Sequence, residues 1–138
     1  MSSEIVVDTS AFVAVFRQEK GWRECEGALS YAAKVWVPAS CRVEVALLRR
    51  AGADFFDWFE AITGAPVYGT AELVPDVVQL AIATARRYGK GSGHPAQLNF
   101  GDCFSYAVAR HRDMPLLFVG TDFSHTDVRP ALVSTPSG

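Results

Sequence analysis

The 138 residues, 49% hydrophobic and 20% charged, fit one globular domain and exclude a chain too polar to collapse. No apolar run approaches the roughly 20 residues that a membrane span needs, and no basic segment with a long apolar stretch opens the chain, so no signal peptide and a cytoplasmic location are expected. A net charge of −2 excludes a uniformly basic, nucleic-acid-coating surface.

In chain order, Ile5-Val6-Val7 reads as a short buried strand that ends in Asp8-Thr9-Ser10 and runs at once into a helix through Ala11–Phe16. A second helix is expected over residues 22–33, then a buried strand at Val35-Trp36-Val37 stopped by Pro38. Ser40 is placed to cap a helix over 43–50 that Gly52 closes. Residues 54–63 carry Phe55, Phe59 and Ile62 at helical spacing, and Val67-Tyr68 forms a brief strand.

An amphipathic helix follows over 74–88, with Val74, Val77, Val78, Ala81 and Ala85 on one face and Pro75 in its first turn. Residues 89–95, with three glycines, form a flexible loop. Asn99 caps a helix over 100–111, and residues 116–119 are the last clear strand. Residues 120–127 are a loop and 128–133 an edge strand. The domain is expected over 1–133, with 134–138 as a frayed tail. Strands alternating with helices imply an α/β fold, a mainly parallel sheet of four to five strands with helices on both faces. In that architecture ligands bind at the carboxyl ends of the strands.

Cys25, Cys41 and Cys103 are scattered and read as small buried hydrophobes; His94, His111 and His125 lack zinc-ligand spacing. Basic residues gather at Arg49-Arg50, at Arg86-Arg87 with Lys90, and at Arg110 with Arg112. These clusters suit either phosphate contacts or the negative ends of helix dipoles.

The acids are more informative. Asp8 directly follows the first strand and Asp122 lies just beyond the last, while Asp102 sits in the first turn of its helix. Glu44 interrupts the apolar run Val43-Glu44-Val45-Ala46-Leu47-Leu48, where an ionised carboxylate is costly unless paired or bound to a cation. Each acid alone has a capping or solvent-facing explanation. Together they describe carboxylates whose repulsion a hard cation relieves, with Mg²⁺ preferred and Mn²⁺ able to substitute. An aspartyl-nucleophile phosphohydrolase, the other reading of an acid after a first strand, lacks its second acid, because position 10 is serine.

Four segments in order carry a resemblance: Val6-Val7-Asp8-Thr9-Ser10-Ala11; Arg42-Val43-Glu44-Val45; residues 98–107 around Asn99-Phe100-Gly101-Asp102; and residues 116–123, ending Thr121-Asp122-Phe123. The chain resembles the PIN-domain ribonucleases, especially VapC-type toxins of toxin–antitoxin pairs. The resemblance implies a PIN-like three-layer α/β/α sandwich and a Mg²⁺- or Mn²⁺-dependent endoribonuclease. It also implies a homodimer that acts on RNA and is neutralised by a VapB-type antitoxin. It makes Asp8, Glu44 and Asp102 the metal-holding acids and Asp122 a fourth catalytic acid, although Gly120 stands where many relatives carry that aspartate. Thr9 and Ser10 are expected to position water or substrate phosphate, and Arg17 or Arg86 to steer the strand. The alternative is a catalytically degenerate PIN-fold module that binds RNA or a partner without cutting. Adjacent Phe55 and Phe56 cannot both enter one core, so one is expected at an antitoxin or dimer face.

Overall fold

The computed structural model describes residues 3–49 and 51–132. In chain order these form β1 (Glu4–Val7), α1 (Thr9–Arg17), α2 (Trp22–Tyr31), β2 (Lys34–Pro38), α3 (Ala39–Leu47), α4 (Phe55–Thr63), β3 (Tyr68–Ala71), α5 (Pro75–Tyr88), α6 (Phe100–Arg112), β4 (Leu116–Leu117) and a 3₁₀ turn (Asp122–His125). All strand pairs are parallel, in the order β3-β2-β1-β4.

Side chains alternate across each strand, so one short β-branched run feeds two cores. Ile5, Val7, Val35, Val37 and Leu117 pack under α1, α2 and α4 with Phe12, Leu29, Phe55 and Phe59. Val6 and Leu116 face the other way, under α5 and α6, with Val77, Ala81, Tyr106 and Val108. This is the expected three-layer α/β/α sandwich, with four strands. The chain steps from β1 through β2 to β3 and then crosses back to the far side of β1. Its topological switch therefore lies at the carboxyl ends of β1 and β4, where such sheets bind ligands.

Several local expectations are corrected. The helix after β2 begins at Ala39, immediately after Pro38, so Ser40 lies inside it and caps nothing; its buried hydroxyl has no hydrogen-bond partner. That helix ends at Leu47, and Arg50 lies outside the described residues. On α5 the inward face is Val77, Ala81, Thr84 and Tyr88, whereas Ala85 is exposed. Thr84 turns inward because its hydroxyl donates to the Leu80 carbonyl at 2.7 Å, satisfying itself within the helix.

The glycine-rich segment after α5 is pinned. Lys90 N donates to Leu98 O and Leu98 N to Tyr88 O, His94 packs edge-on against Tyr88, and a side chain on Gly89 would strike the Ala85 carbonyl. The last strand is only two residues long, because the Val119 N–H turns to the Ser10 hydroxyl. The expected edge strand over 128–133 is a single bridge between Leu116 and Pro130. Its two bonds run from Leu116 N to Arg129 O and from Ala131 N to Leu116 O, each at 2.8 Å; Val133 and the tail at 134–138 lie outside the described residues.

The three cysteines are buried and free. Phe55 is sealed while Phe56 is 39% exposed, the split that their adjacency requires. No helix among the described residues is long and apolar enough to cross a membrane.

Candidate active site

Asp8 ends β1 and caps α1. Its extended backbone lets the main-chain N–H donate to Leu117 O at 2.9 Å, and its Oδ2 accepts the Ser10 N–H at 3.0 Å. Oδ1 accepts from the Ser105 hydroxyl at 2.6 Å. The side chain is only 4% exposed, yet it lines a cleft of about 330 Å³ at the switch point. Thr9, Ser10, Arg17, Glu19, Glu44, Asn99 and Asp102 line the same cleft.

Asp102 reaches the cleft from the first turn of α6, which starts with a reciprocal cap. Asn99 Oδ1 accepts from Asp102 N at 2.8 Å, and Asp102 Oδ2 accepts from Asn99 N at 3.1 Å. Because α6 leads into a parallel strand, its N-terminus lies at the carboxyl edge of the sheet. The positive ends of the α1 and α6 dipoles therefore open on the cleft together.

Glu44 comes from the sixth residue of α3. Thr9 Oγ1 donates to its Oε1 at 2.6 Å, and its carboxyl group lies against Gly101, where no side chain intervenes. A methyl at position 101 would collide with Glu44 Oε2. Gly101→Ala is therefore expected to keep or raise the thermal midpoint, since alanine favours the helix by about 1 kcal/mol. It should nonetheless cut RNA cleavage at least tenfold by displacing Glu44. Wild-type initial rates in that variant would show that Glu44's position is immaterial.

Burial raises the Asp102 carboxyl to about 7, with the Asp8 charge adding to it, the Asn99 backbone N–H opposing, and Asp122 and Glu44 adding smaller repulsions. Burial likewise raises Glu44, the Thr9 hydrogen bond opposes, and Asp8 contributes repulsion. Burial also holds the neighbouring Cys41 as a thiol, pushed up to about 12. The acids thus feel one another across the cleft, which is the electrostatic state that a hard divalent cation relieves.

Among the described residues, no three of His, Cys, Asp and Glu form a ready-made metal cage. Each acid is instead held by a neighbour: Asp8 by Ser10 and Ser105, Glu44 by Thr9, and Asp102 by Asn99. The all-oxygen donor set suits Mg²⁺ or Mn²⁺, which take a few carboxylates and complete their shells with water and phosphate.

Asp122 does not line the cleft. It is exposed at the start of the 3₁₀ turn and reaches Asp102 only through its charge. The hydroxyls of Thr9 and Ser10 are occupied, the first by Glu44 and the second by the Val119 N–H. Arg17 is the one cation among the described residues that line the cleft. Arg86, Arg87, Arg110 and Arg112 occupy the last turns of α5 and α6, where the helix dipole accounts for them.

Sequence reading passed over Ser105 and Gly101. Both lie in the segment 98–107 that carries the resemblance, and Ser105 stands out there as a hydroxyl three residues after Asp102.

Comparisons with known proteins bear on the family and the fold. The PIN domain family model matches residues 5–129. The chain is 37% identical over 129 residues to ribonuclease VapC42 of Mycobacterium tuberculosis, covering 92% of this chain and 98% of that protein. It is 38% identical over 135 residues to ribonuclease VapC28 of the same species, covering 93% and 98%. Among solved structures, M. tuberculosis VapC20, described as a sarcin-ricin loop cleaving toxin, superposes with a TM-score of 0.71 at 23% identity, covering 91% of this chain and 99% of that one. A toxin–antitoxin complex from Klebsiella pneumoniae superposes at 0.65 and 17% identity, covering 94% and 96%. At those identities the superpositions speak to the fold.

Proposed function

The chain belongs to the PIN-domain family of VapC ribonucleases, and from that premise we propose that this toxin endoribonuclease cuts RNA in a divalent-metal site formed by Asp8, Glu44 and Asp102. The observation that supports this reading most is the shared cleft, where burial and the Asp8 charge raise both other acids. Asp8 and Asp102 are the direct ligands, and Glu44 completes the negative site. Asp122 adds charge from its rim.

A bound Mg²⁺ or Mn²⁺ supplies an activated water and neutralises charge on the scissile phosphate. The protein's own residues do the rest. The N-termini of α1 and α6 present backbone dipoles to the phosphate, and Arg17 draws the strand toward the acids. Thr9 keeps Glu44 turned into the cleft, and Ser10 ties the end of β4 to the start of α1.

The partners follow from the same reading. The substrate is RNA, and a VapB-type antitoxin neutralises the enzyme. A homodimer is the proposed assembly, supported by Val43, Leu47 and Phe100, which are 63%, 70% and 81% exposed.

The test is incubation of the purified protein with total cellular RNA in Mg²⁺, in Mn²⁺ and in EDTA, with cleavage ends mapped. Discrete cuts that require the cation are expected. RNA binding without cation-dependent cutting would identify the degenerate module instead.

A further inference from the structure

We propose that Ser105 is a positioning residue that fixes the Asp8 carboxylate for the reaction, an inference that rests on Asp8 being a metal-holding acid. Ser105 lies on α6 with no exposed surface, and its Oγ donates to Asp8 Oδ1 at 2.6 Å across 97 residues of sequence. A buried helical hydroxyl ordinarily satisfies itself on the carbonyl four residues back. Two others in this protein do so: Thr63 donates to Phe59 O and Thr84 to Leu80 O, each at 2.7 Å. Ser105 gives its one hydrogen to the acid instead.

An ionised carboxylate only accepts, so the direction of this bond is fixed. The Cys41 thiol lies 3.6 Å from Ser105 Oγ and donates toward the Val7 carbonyl at 4.0 Å, so it packs against Ser105 without competing for the acid. Ser105 thus holds Asp8 Oδ1 while the Ser10 N–H holds Oδ2. Both carboxylate oxygens are anchored from the protein side, and each keeps acceptor capacity for the cleft. Partners of this kind orient metal-binding groups, and their loss commonly costs about 10–100-fold in affinity or activity.

The experiment compares the full-length wild type, Ser105→Ala and Val108→Ala by calorimetric Mn²⁺ titration, thermal unfolding and steady-state RNA cleavage. Val108 is buried on the same helix and takes no part in the cleft. Ser105→Ala is expected to weaken Mn²⁺ binding by about 10–100-fold and to lower kcat comparably, with KM for RNA little changed. Val108→Ala is expected to lower the thermal midpoint and leave Mn²⁺ affinity as in the wild type.

Wild-type Mn²⁺ affinity and kcat in Ser105→Ala overturn the positioning role and leave the metal site standing. A wild type that binds no Mn²⁺ removes the metal reading, and this role with it. If Ser105→Ala does not fold, Ser105→Cys replaces it as a weaker donor of similar size. A several-fold loss of Mn²⁺ affinity there supports the role, and unchanged affinity overturns it.

Discussion

Asp102→Asn and Asp8→Asn are each expected to lower RNA cleavage by two to three orders of magnitude without unfolding the protein, a barrier change of roughly 3–4 kcal/mol. The substitutions remove charge but little shape. At position 102 an amide oxygen still accepts the Asn99 N–H, and the main-chain half of the reciprocal cap is untouched. At position 8 asparagine is as good a helix cap as aspartate, and its oxygen accepts from either Ser10 N or Ser105 Oγ.

The two variants should differ in stability. Asp102 is half-buried beside like charges, so its neutral replacement relieves strain at pH 8 and should raise the thermal midpoint there. Asp8 accepts two anchoring hydrogen bonds, and its replacement gives up one of them. Initial rates on a labelled RNA, with unfolding curves for the same preparations, separate lost chemistry from lost fold. Undiminished cleavage by both variants would remove these acids from the mechanism.

The layout of the sheet was legible because its strands are written in the strongest code available. Ile5-Val6-Val7 and Val35-Trp36-Val37 are short β-branched and aromatic runs bounded by Asp8 and Pro38, and parallel strands buried on both faces need nothing more. Asn99 with Asp102 was equally readable, since the cap is a local pattern that the structure reproduces atom for atom.

The misreadings came from assigning polar residues by type alone. Ser40 looked like a cap, but α3 follows the strand with no loop, so the hydroxyl is carried inside. Thr84 was absent from the expected inward face of α5, but a threonine that bonds its own helix carbonyl counts as apolar outside. The edge strand after residue 128 shrank to one bridge because its partner β4 is itself only two residues long, with the Val119 N–H turned to Ser10.

For the site, the acids could be picked out one by one because strand ends and first turns are sequence landmarks. The contacts that orient them could not. Thr9 with Glu44 and Ser105 with Asp8 lie 35 and 97 residues apart, and only the packing of α1, α3 and α6 brings them together. Gly101 belongs to the same class. Its missing side chain matters only because a carboxyl group from α3 occupies the space.

The raised Asp102 carboxyl makes the second large effect one of pH and metal together. In the unfolded chain this group loses its proton near 4, whereas in the folded, metal-free protein it holds it to about 7. Between those values the folded state binds the extra proton, so this acid favours folding at low pH and that advantage is lost as pH rises through about 7. Above that point the metal-free cleft holds mutually repelling carboxylates, and a divalent ion acts directly against that repulsion. Below it, protons occupy the same oxygens and compete with the ion.

Saturating Mn²⁺, at about 100 times its dissociation constant, is therefore expected to stabilise the protein at pH 8 by roughly 2.7 kcal/mol. For a chain of this length that is a rise of about 10 °C in thermal midpoint. At pH 6 the rise should be much smaller, and EDTA should abolish it at both. Cleavage at limiting Mn²⁺ should fall in parallel between pH 8 and pH 6, and raising the Mn²⁺ concentration should move that fall to lower pH, because metal and proton contend for one site. Thermal unfolding in Mn²⁺ and in EDTA at the two pH values measures the linkage directly. Equal metal-induced shifts at pH 6 and pH 8 would mean that the ion binds away from Asp102.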